Sequence, residues 1–239
     1  TLSGTADVVV RDLAPVADAG GPYTGAEGLP VALSAAASTD PNGGPLAYAW
    51  DLDNDGAFND ALGVSASYTW PDNGTFTVGV LVTDTAGLTD TATAAVSISN
   101  RDPVISSVAN SGPVRRTQPV TVTITAGDVA ADPLLYSFDW DNNGSYEVVD
   151  QTAASASTSF GATGSYVVGV RVRDGDGGVA TGTTTVVVQP QTLGVTATNN
   201  GPVRRGQPAT VTATGTQELS DTLLYSFDWD NNGSYEVVD

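Results

Sequence analysis

The chain has 239 residues, with no cysteine and no histidine, and a formal net charge of −19 from 27 acidic and 8 basic residues. The missing residue types exclude disulfides, Ser-His-Asp and Cys-His nucleophilic chemistry, and zinc sites of the usual kind. The acidic surface argues against nucleic acid as a partner and favours divalent cations. No run of 18 apolar residues occurs, so we predict no membrane insertion.

An internal repeat sets the predicted domain organisation. The pattern that begins at Tyr48 returns 88 residues later at Tyr136 and 89 residues later again at Tyr225. We therefore predict the end strand of a preceding domain at 1–12, a first copy at 13–100, a second copy at 101–190, and an incomplete third copy at 191–239. We expect the chain to be an excerpt of a longer array. Short connections between the copies predict an extended, semi-rigid rod.

The apolar residues within each copy follow the period of a β-strand. Phe76, Val78, Val80 and Val82 fall on one face and the intervening residues on the other, and the segment 166–173 repeats this alternation. A period of two predicts half-buried strands, and no window shows the 3.6-residue spacing of a surface helix. The fold class is therefore predicted to be all-β, with sandwiches of roughly seven strands per copy.

The aromatic residues divide into two groups. Trp50, Phe138 and Phe227 are predicted to lie in the core on the central strand of each copy. The positions of three further tryptophans stay open, because an outward tryptophan can stack on sugar rings while an inward one packs in the core. These are Trp70, Trp140 and Trp229.

One stretch of the first copy resembles the polycystic kidney disease (PKD) repeat family. The matching residues are Ser38-Thr39-Asp40-Pro41, Tyr48-Ala49-Trp50-Asp51, Asp53 with Asp55-Gly56, Gly74-Thr75-Phe76-Thr77-Val78 and Val82-Thr83-Asp84. The second copy departs from the family pattern at Phe138, Trp140 and Arg173-Asp174. The resemblance implies tandem immunoglobulin-like β-sandwiches at an extracellular or cell-surface location. It also implies spacers or contact modules for protein and polysaccharide rather than catalysts.

An aspartate-rich loop follows the central strand in every copy. Alternating oxygen side chains followed by glycine have the spacing of a Ca²⁺ loop, in which positions 1, 3, 5, 7, 9 and 12 supply ligands. The first copy offers Asp51, Asp53 and Asp55, with Asn59 or Asp60 to close the shell. The second offers Asp139, Asp141, Asn143, Ser145, Glu147 and Asp150, and the third offers Asp228, Asp230, Asn232, Ser234, Glu236 and Asp239. The alternative is a metal-free turn in which the aspartates accept backbone amides.

Two further motifs each allow two interpretations. Gly112-Pro113-Val114-Arg115-Arg116 recurs at 201–205, and its arginines are either an inter-domain clamp on carboxylates or a charged strand edge. The segment 173–178, which is rich in aspartate and glycine, is either a second cation loop or a hairpin turn, and we favour the turn.

Together these observations predict a protein that is not an enzyme. The leading hypothesis is a structural repeat segment of a long extracellular or cell-surface protein, a calcium-stiffened rod, stalk or filament. Its partners would be neighbouring copies, within the chain or in a homopolymer. The alternative is an adhesive or carbohydrate-binding accessory module of a secreted protein, with a polysaccharide or a surface protein as partner.

Overall fold

The computed structural model describes residues 11–129, 132–216, 223–231 and 233–235, and the backbone of 237–238. Most of the predicted strand at 1–12, together with Asn232, Glu236 and Asp239, lies outside these residues. The described part of the chain has no helix long and apolar enough to cross a membrane. It is built from β-strands, which confirms the predicted all-β fold class.

The first copy is a sandwich of two sheets. Its strands are β1 (Tyr23–Ala26), β2 (Pro30–Ser34), β3 (Ala47–Asp51), β4 (Ala61–Leu62), β5 (Ser65–Thr69), β6 (Gly74–Thr83) and β7 (Thr89–Ser99). One sheet has the order β1-β7-β6-β3-β4, in which β1 runs parallel to β7 and the other pairs are antiparallel. The second sheet pairs β2 with β5.

The second copy repeats this plan. Its strands are β8 (Val104–Asn110), β9 (Val114–Arg115), β10 (Pro119–Gly127), β11 (Leu135–Asp139), β12 (Val148–Gln151), β13 (Ser155–Ser159), β14 (Gly164–Arg173) and β15 (Val179–Gln189). One sheet has the order β12-β11-β14-β15-β9 and the other the order β13-β10-β8. β9 runs parallel to β15, as β1 does to β7.

The described part of the third copy contains two strand pairs. β16 (Gly194–Asn199) pairs with β17 (Val211–Thr216), and β18 (Ser226–Phe227) pairs with β19 (Val237–Val238). Both pairs are antiparallel.

Each of the first two copies has its own apolar core. Trp50 is fully buried in the first, with its indole Nε1 donating a hydrogen bond of 2.9 Å to the carbonyl of Gly63. Phe138 is fully buried at the same place in the second. Val78, Val80 and Val82 are also fully buried, which confirms the predicted inward face of that strand. Burying an aliphatic or aromatic side chain of this size contributes about 1.5–3 kcal/mol.

The connection between the first two copies is held by hydrogen bonds rather than left loose. The backbone amide of Arg101 donates to Oε1 of Glu27 at 2.7 Å. The Asn100 side chain donates to Oδ2 of Asp174 at 2.9 Å, so the connection reaches into both copies. A methyl group built on Gly28 would lie 2.8 Å from the Val129 side chain, which shows how closely the two copies approach each other here.

Candidate metal centres

The aspartate loop of the first copy follows the end of β3. Asp51 is only 4% exposed, and its carboxylate accepts the amides of Asp55 at 3.2 Å and Gly56 at 3.0 Å. Gly56 has a φ of 90°, a conformation that favours glycine. One carboxylate oxygen each from Asp51, Asp53 and Asp55 lies within 4.8 Å of the others.

Asp60 closes this loop against the strand from which it starts. Oδ2 of Asp60 accepts the amides of Leu52 at 2.6 Å and Asp53 at 3.3 Å, and the amide of Asp60 donates to the carbonyl of Trp50 at 3.1 Å. Asn59, the other predicted closing residue, is exposed, and its amide donates to the carbonyl of Ala57 at 3.0 Å. Of the two candidates, Asp60 is the one whose side chain binds back to the loop entry.

The second copy builds the same loop after β11. Asp139, which is 2% exposed, accepts the amides of Asn143 at 3.1 Å and Gly144 at 2.7 Å. Glu147 accepts the amide of Trp140 at 2.8 Å through Oε2, and its own amide donates to the carbonyl of Phe138 at 3.0 Å. These are the contacts that Asp60 makes in the first copy.

The acidic side chains of this second loop also converge. One carboxylate oxygen each from Asp139, Asp141 and Glu147 lies within 4.8 Å of the others. Asn143 joins the network, because its side-chain nitrogen donates to Asp141 at 2.9 Å and its side-chain oxygen accepts the amide of Ser145 at 2.7 Å. The structure therefore brings together five of the six residues predicted in this copy.

The structure places the sixth residue, Asp150, elsewhere. Its Oδ1 lies 3.2 Å from the Arg171 guanidinium and its Oδ2 lies 3.1 Å from that of Arg173. The hydroxyl of Ser137 also donates to Oδ1 at 3.1 Å. The position count assumes a continuous loop, but β12 begins at Val148 and carries Asp150 to the outer face of the sheet, beside strands β11 and β14.

The third loop is described only in part. Asp228 accepts the amide of Gly233 at 2.8 Å, which matches the bond from Gly144 to Asp139. Asp230 and Ser234 are exposed. The other three residues predicted here are those already named as lying outside the described residues.

These loops are shaped by hydrogen bonds from backbone amides, and they retain capacity for a cation. An ionised carboxylate has about four lone-pair positions, and the amides use only some of them. Three carboxylates at this separation repel one another at neutral pH unless positive charge compensates for them. The arrangement can therefore serve as a turn, as a hard-cation site, or as both.

The open tryptophans take different positions. Trp70 is a core residue, 3% exposed, with its ring centroid 4.9 Å from Tyr68 and 5.7 Å from Phe76. Trp140 is half-buried and stacks on Phe138 at 5.5 Å. Trp229 is 56% exposed.

The segment at 173–178 forms the predicted hairpin turn between β14 and β15. Oδ1 of Asp174 accepts the amides of Asp176 at 2.9 Å and Gly178 at 2.8 Å. Burial alone would raise the pKa of Asp174, but hydrogen bonds from the Asn100 side chain and the backbone of the turn outweigh it and lower that pKa. The carboxylate is therefore held in its charged form.

A third acidic cluster was missed by the sequence reasoning. One carboxylate oxygen each from Glu27, Asp72 and Asp132 lies within 4.8 Å of the others, at the junction of the first and second copies. Burial, reinforced by nearby carboxylates of which Glu27 is the strongest, raises the pKa of Asp132 to about 6. These residues are far apart in the chain and follow no motif. The signal that would have pointed to them is the alignment of the repeats, in which the position of Glu27 is occupied by Arg116 in the second copy.

The strand order and the two-sheet cores define an all-β, immunoglobulin-like sandwich. Residues 12–98 match the family model described as the PKD domain. This confirms the resemblance carried by the residues around Trp50. PKD domains are typically non-catalytic and are commonly adhesion or structural modules.

Solved structures give weaker likenesses. The amphioxus IgVJ-C2 molecule has a TM-score of 0.42 and 10% identity, covering 69% of this chain and 99% of that one. Immunoglobulin domains 1–4 of Sidekick-1 have a TM-score of 0.41 and 15% identity, and the match covers 77% of this chain and 51% of that one. The titin domains Z1Z2 in complex with telethonin have a TM-score of 0.38 and 16% identity, and the match covers 77% of this chain and 100% of that one. At these scores the likenesses carry no information on function.

Proposed function

We propose that this chain is a structural repeat segment of a long extracellular or cell-surface protein, in which Ca²⁺ bound by the aspartate loops stiffens a rod of stacked sandwiches. The observation that supports it most is the recurrence of the same acidic loop. In two successive copies a buried aspartate, Asp51 at the end of β3 or Asp139 at the end of β11, gathers two more carboxylates within 4.8 Å. Oxygen-only ligand sets of this kind suit Ca²⁺.

The proposed mechanism is thermodynamic and mechanical. A sandwich of about 90 residues buries a smaller share of its surface than a larger domain, so its stability is modest. A cation that binds only the folded state adds about 2.7 kcal/mol when its concentration is 100 times its dissociation constant. The bound cation would also fix the connection from β3 to β4, and from β11 to β12, which limits local opening. Neighbouring copies, in the chain or in a homopolymer, would be the principal partners.

Calorimetric titration of Ca²⁺ into the full chain tests this function. The informative variants are Asp53→Asn and Asp141→Asn, because each retains the oxygen that accepts the amide two residues later while removing a negative charge. Asp40→Asn is the matched control, since Asp40 accepts the amide of Asn42 at 2.8 Å in the same kind of turn but lies outside the clusters. We expect each loop variant to weaken or abolish one Ca²⁺ site and the control to bind as wild type. Equal titrations for all four proteins would refute the proposal.

A second candidate function is an adhesive or carbohydrate-binding module. It is favoured by one observation, the 56% exposure of Trp229, whose ring stacks on Phe227 and is thereby held as a platform. The burial of Trp70 argues against a continuous row of sugar-binding tryptophans along the copies. Binding of a panel of polysaccharides to wild type and to Trp229→Ala separates the two functions. Only the binding module predicts retention on a polysaccharide that the variant loses.

A further inference from the structure

Three carboxylates from three separate turns meet where the first copy joins the second. Glu27 lies in the turn between β1 and β2, Asp72 in the turn between β5 and β6, and Asp132 in the connection between β10 and β11. Two of them therefore belong to the first copy and one to the second. Because the residues come from different copies, anything bound among them would link the two sandwiches.

Two of these side chains are buried with oxygens that have no hydrogen-bond partner. Glu27 is fully buried, and while its Oε1 accepts the amide of Arg101, its Oε2 has no partner. Asp132 is 8% exposed, and its Oδ2 has no partner either. Asp128 beside it repeats the pattern, with an unpartnered, buried Oδ2. A buried polar atom left without a partner costs about 1–3 kcal/mol, and a charged one more.

The ion pairs between described residues link Asp150 to Arg171 and Arg173, and none involves the junction carboxylates. The guanidinium of Arg101 lies near this junction, with its Nη1 3.5 Å from a methyl group built on Gly28, but it forms no ion pair with these carboxylates. Arg101 contributes its backbone amide to Glu27. The cluster therefore places two buried carboxylates, Glu27 and Asp132, beside the exposed Asp72.

The second copy carries the opposite charge at the position equivalent to Glu27. Gly28 has a φ of 68° and donates its amide to the carbonyl of Trp70, while Thr117 has a φ of 61° and donates its amide to the carbonyl of Phe160. The residue before Gly28 is Glu27, and the residue before Thr117 is Arg116.

The neighbouring acidic position changes as well. Two residues after Trp70 comes Asp72, whereas two residues after Phe160 comes Ala162. The second copy thus has a guanidinium where the first copy has a carboxylate, and it lacks the second carboxylate. This is the difference expected if the first junction recruits a free cation and the corresponding position of the second copy carries a cationic side chain.

We propose that Glu27, Asp72 and Asp132 form an inter-domain Ca²⁺ site that fixes the orientation of the second copy on the first. Ca²⁺ binds oxygens at 2.3–2.6 Å, so two oxygens on one ion are at most about 4.6–5.2 Å apart. The three carboxylate oxygens lie within 4.8 Å of one another, which is compatible with binding to one Ca²⁺ ion. Mg²⁺ demands stricter octahedral geometry and loses its water ligands less readily. This site shares no residue with the aspartate loops and stands independently of them.

The test measures the range of orientations that the second copy adopts relative to the first. Because the chain has no cysteine, Ser67→Cys and Ser155→Cys introduce two unique attachment points for spin labels. Both serines are exposed, on strands β5 and β13. Pulsed electron–electron double resonance then gives the distribution of distances between the labels, once in Ca²⁺ and once in a chelator.

The key variant is Glu27→Gln, which keeps the oxygen that accepts the Arg101 amide but removes the charge. We expect Ca²⁺ to narrow the distance distribution of the labelled parent protein. The labelled Glu27→Gln variant should have a distribution in Ca²⁺ that is as broad as its distribution in chelator. Calorimetry should show loss of one Ca²⁺ equivalent, or binding weaker by about tenfold or more. Asp132→Asn is a second variant that should behave in the same way, and circular dichroism shows whether each variant folds.

The Asp141→Asn variant separates this site from the loops. If the junction binds Ca²⁺, the distance distribution of the Asp141→Asn variant should narrow on Ca²⁺ addition as that of the parent does, even if the variant no longer binds Ca²⁺ in its second aspartate loop. The proposal is overturned if Ca²⁺ narrows the distance distribution of Glu27→Gln and this variant binds as many Ca²⁺ ions as the parent. It is also overturned if Ca²⁺ leaves the distance distribution of the parent unchanged. Failure of loop binding alone would refute the loop function and leave the junction site standing.

Discussion

Replacing Trp70 by alanine tests whether this tryptophan is a core residue or a ligand platform. Its side chain is 3% exposed and packs between Tyr68 and Phe76, with ring centroids 4.9 and 5.7 Å away. A buried aromatic side chain removes about 150–250 Å² from water. At about 25 cal/mol per Å² this corresponds to about 4–6 kcal/mol, part of which the alanine retains.

We therefore expect Trp70→Ala to lower the free energy of unfolding of the first copy by about 3–5 kcal/mol. Against a total stability of about 0.05–0.15 kcal/mol per residue, this is a large fraction for so small a domain. Hydrogen exchange followed by mass spectrometry resolves the two copies. Exchange in the β6 peptides (Gly74–Thr83) should accelerate by about two to three and a half orders of magnitude if exchange proceeds through global opening of the copy.

Two controls accompany this variant. The β14 peptides (Gly164–Arg173) of the second copy serve as an internal reference, and we expect their exchange to change little. Leu62→Ala is the matched surface control, since Leu62 is 79% exposed in the same copy and should change stability by less than about 0.5 kcal/mol. If Trp70→Ala were as mild as Leu62→Ala, the assignment of Trp70 to the core would be refuted.

The remaining predictions concern the charged network and the linker. Asp150→Asn should lower the stability of the second copy by about 1 kcal/mol, because it breaks the ion pairs with Arg171 and Arg173. The variant should leave Ca²⁺ affinity unchanged. Denaturant unfolding measures the stability and calorimetry the affinity, and weaker Ca²⁺ binding would contradict the observed position of Asp150. Asn100→Ala removes a hydrogen bond that lowers the pKa of Asp174 below its ordinary value of 3.8. A lowered pKa contributes stability above pH 3.8 that is lost as the pH falls through the native value, so the variant should lose more stability at pH 7 than at pH 3. Equal losses in denaturant unfolding at the two pH values would count against this linkage.

Local sequence patterns predicted the fold because the relevant information is itself local. The alternation from Phe76 to Val82 requires only that a strand have one buried face, and the structure buries that face. The burial of Trp50 and Phe138 followed from their place on the repeated central strand. The turn chemistry of Asp174 likewise depends on residues no more than four positions away.

The incomplete predictions depended on contacts between distant residues. Asp150 has the spacing of a closing ligand, but its partners Arg171 and Arg173 lie on a different strand, and only the sheet order brings them together. Trp70 lies one residue beyond the short strand β5, and it is on the face of the half-buried Ala66 and Tyr68, which alternate with exposed residues along that strand.

The junction cluster could not be read along the chain, because its members come from three turns in two copies. Position counting within a loop cannot find such a site. The repeat alignment offers a clue, since the position of Glu27 in the first copy is occupied by Arg116 in the second. A charge reversal at one repeat position indicates that its electrostatic surroundings differ between the junctions.

The most direct measurement of calcium stabilisation is the thermal unfolding of the full chain in Ca²⁺ and in chelator. With Ca²⁺ at about 100 times its dissociation constant, the expected 2.7 kcal/mol corresponds to a midpoint higher by about 10–20 °C for domains of this size. The Asp53→Asn/Asp141→Asn double variant should lose the part of that increase that the loops of the first two copies contribute. A wild-type midpoint that is the same in Ca²⁺ and in chelator would contradict the account, and the aspartate loops would then be metal-free turns.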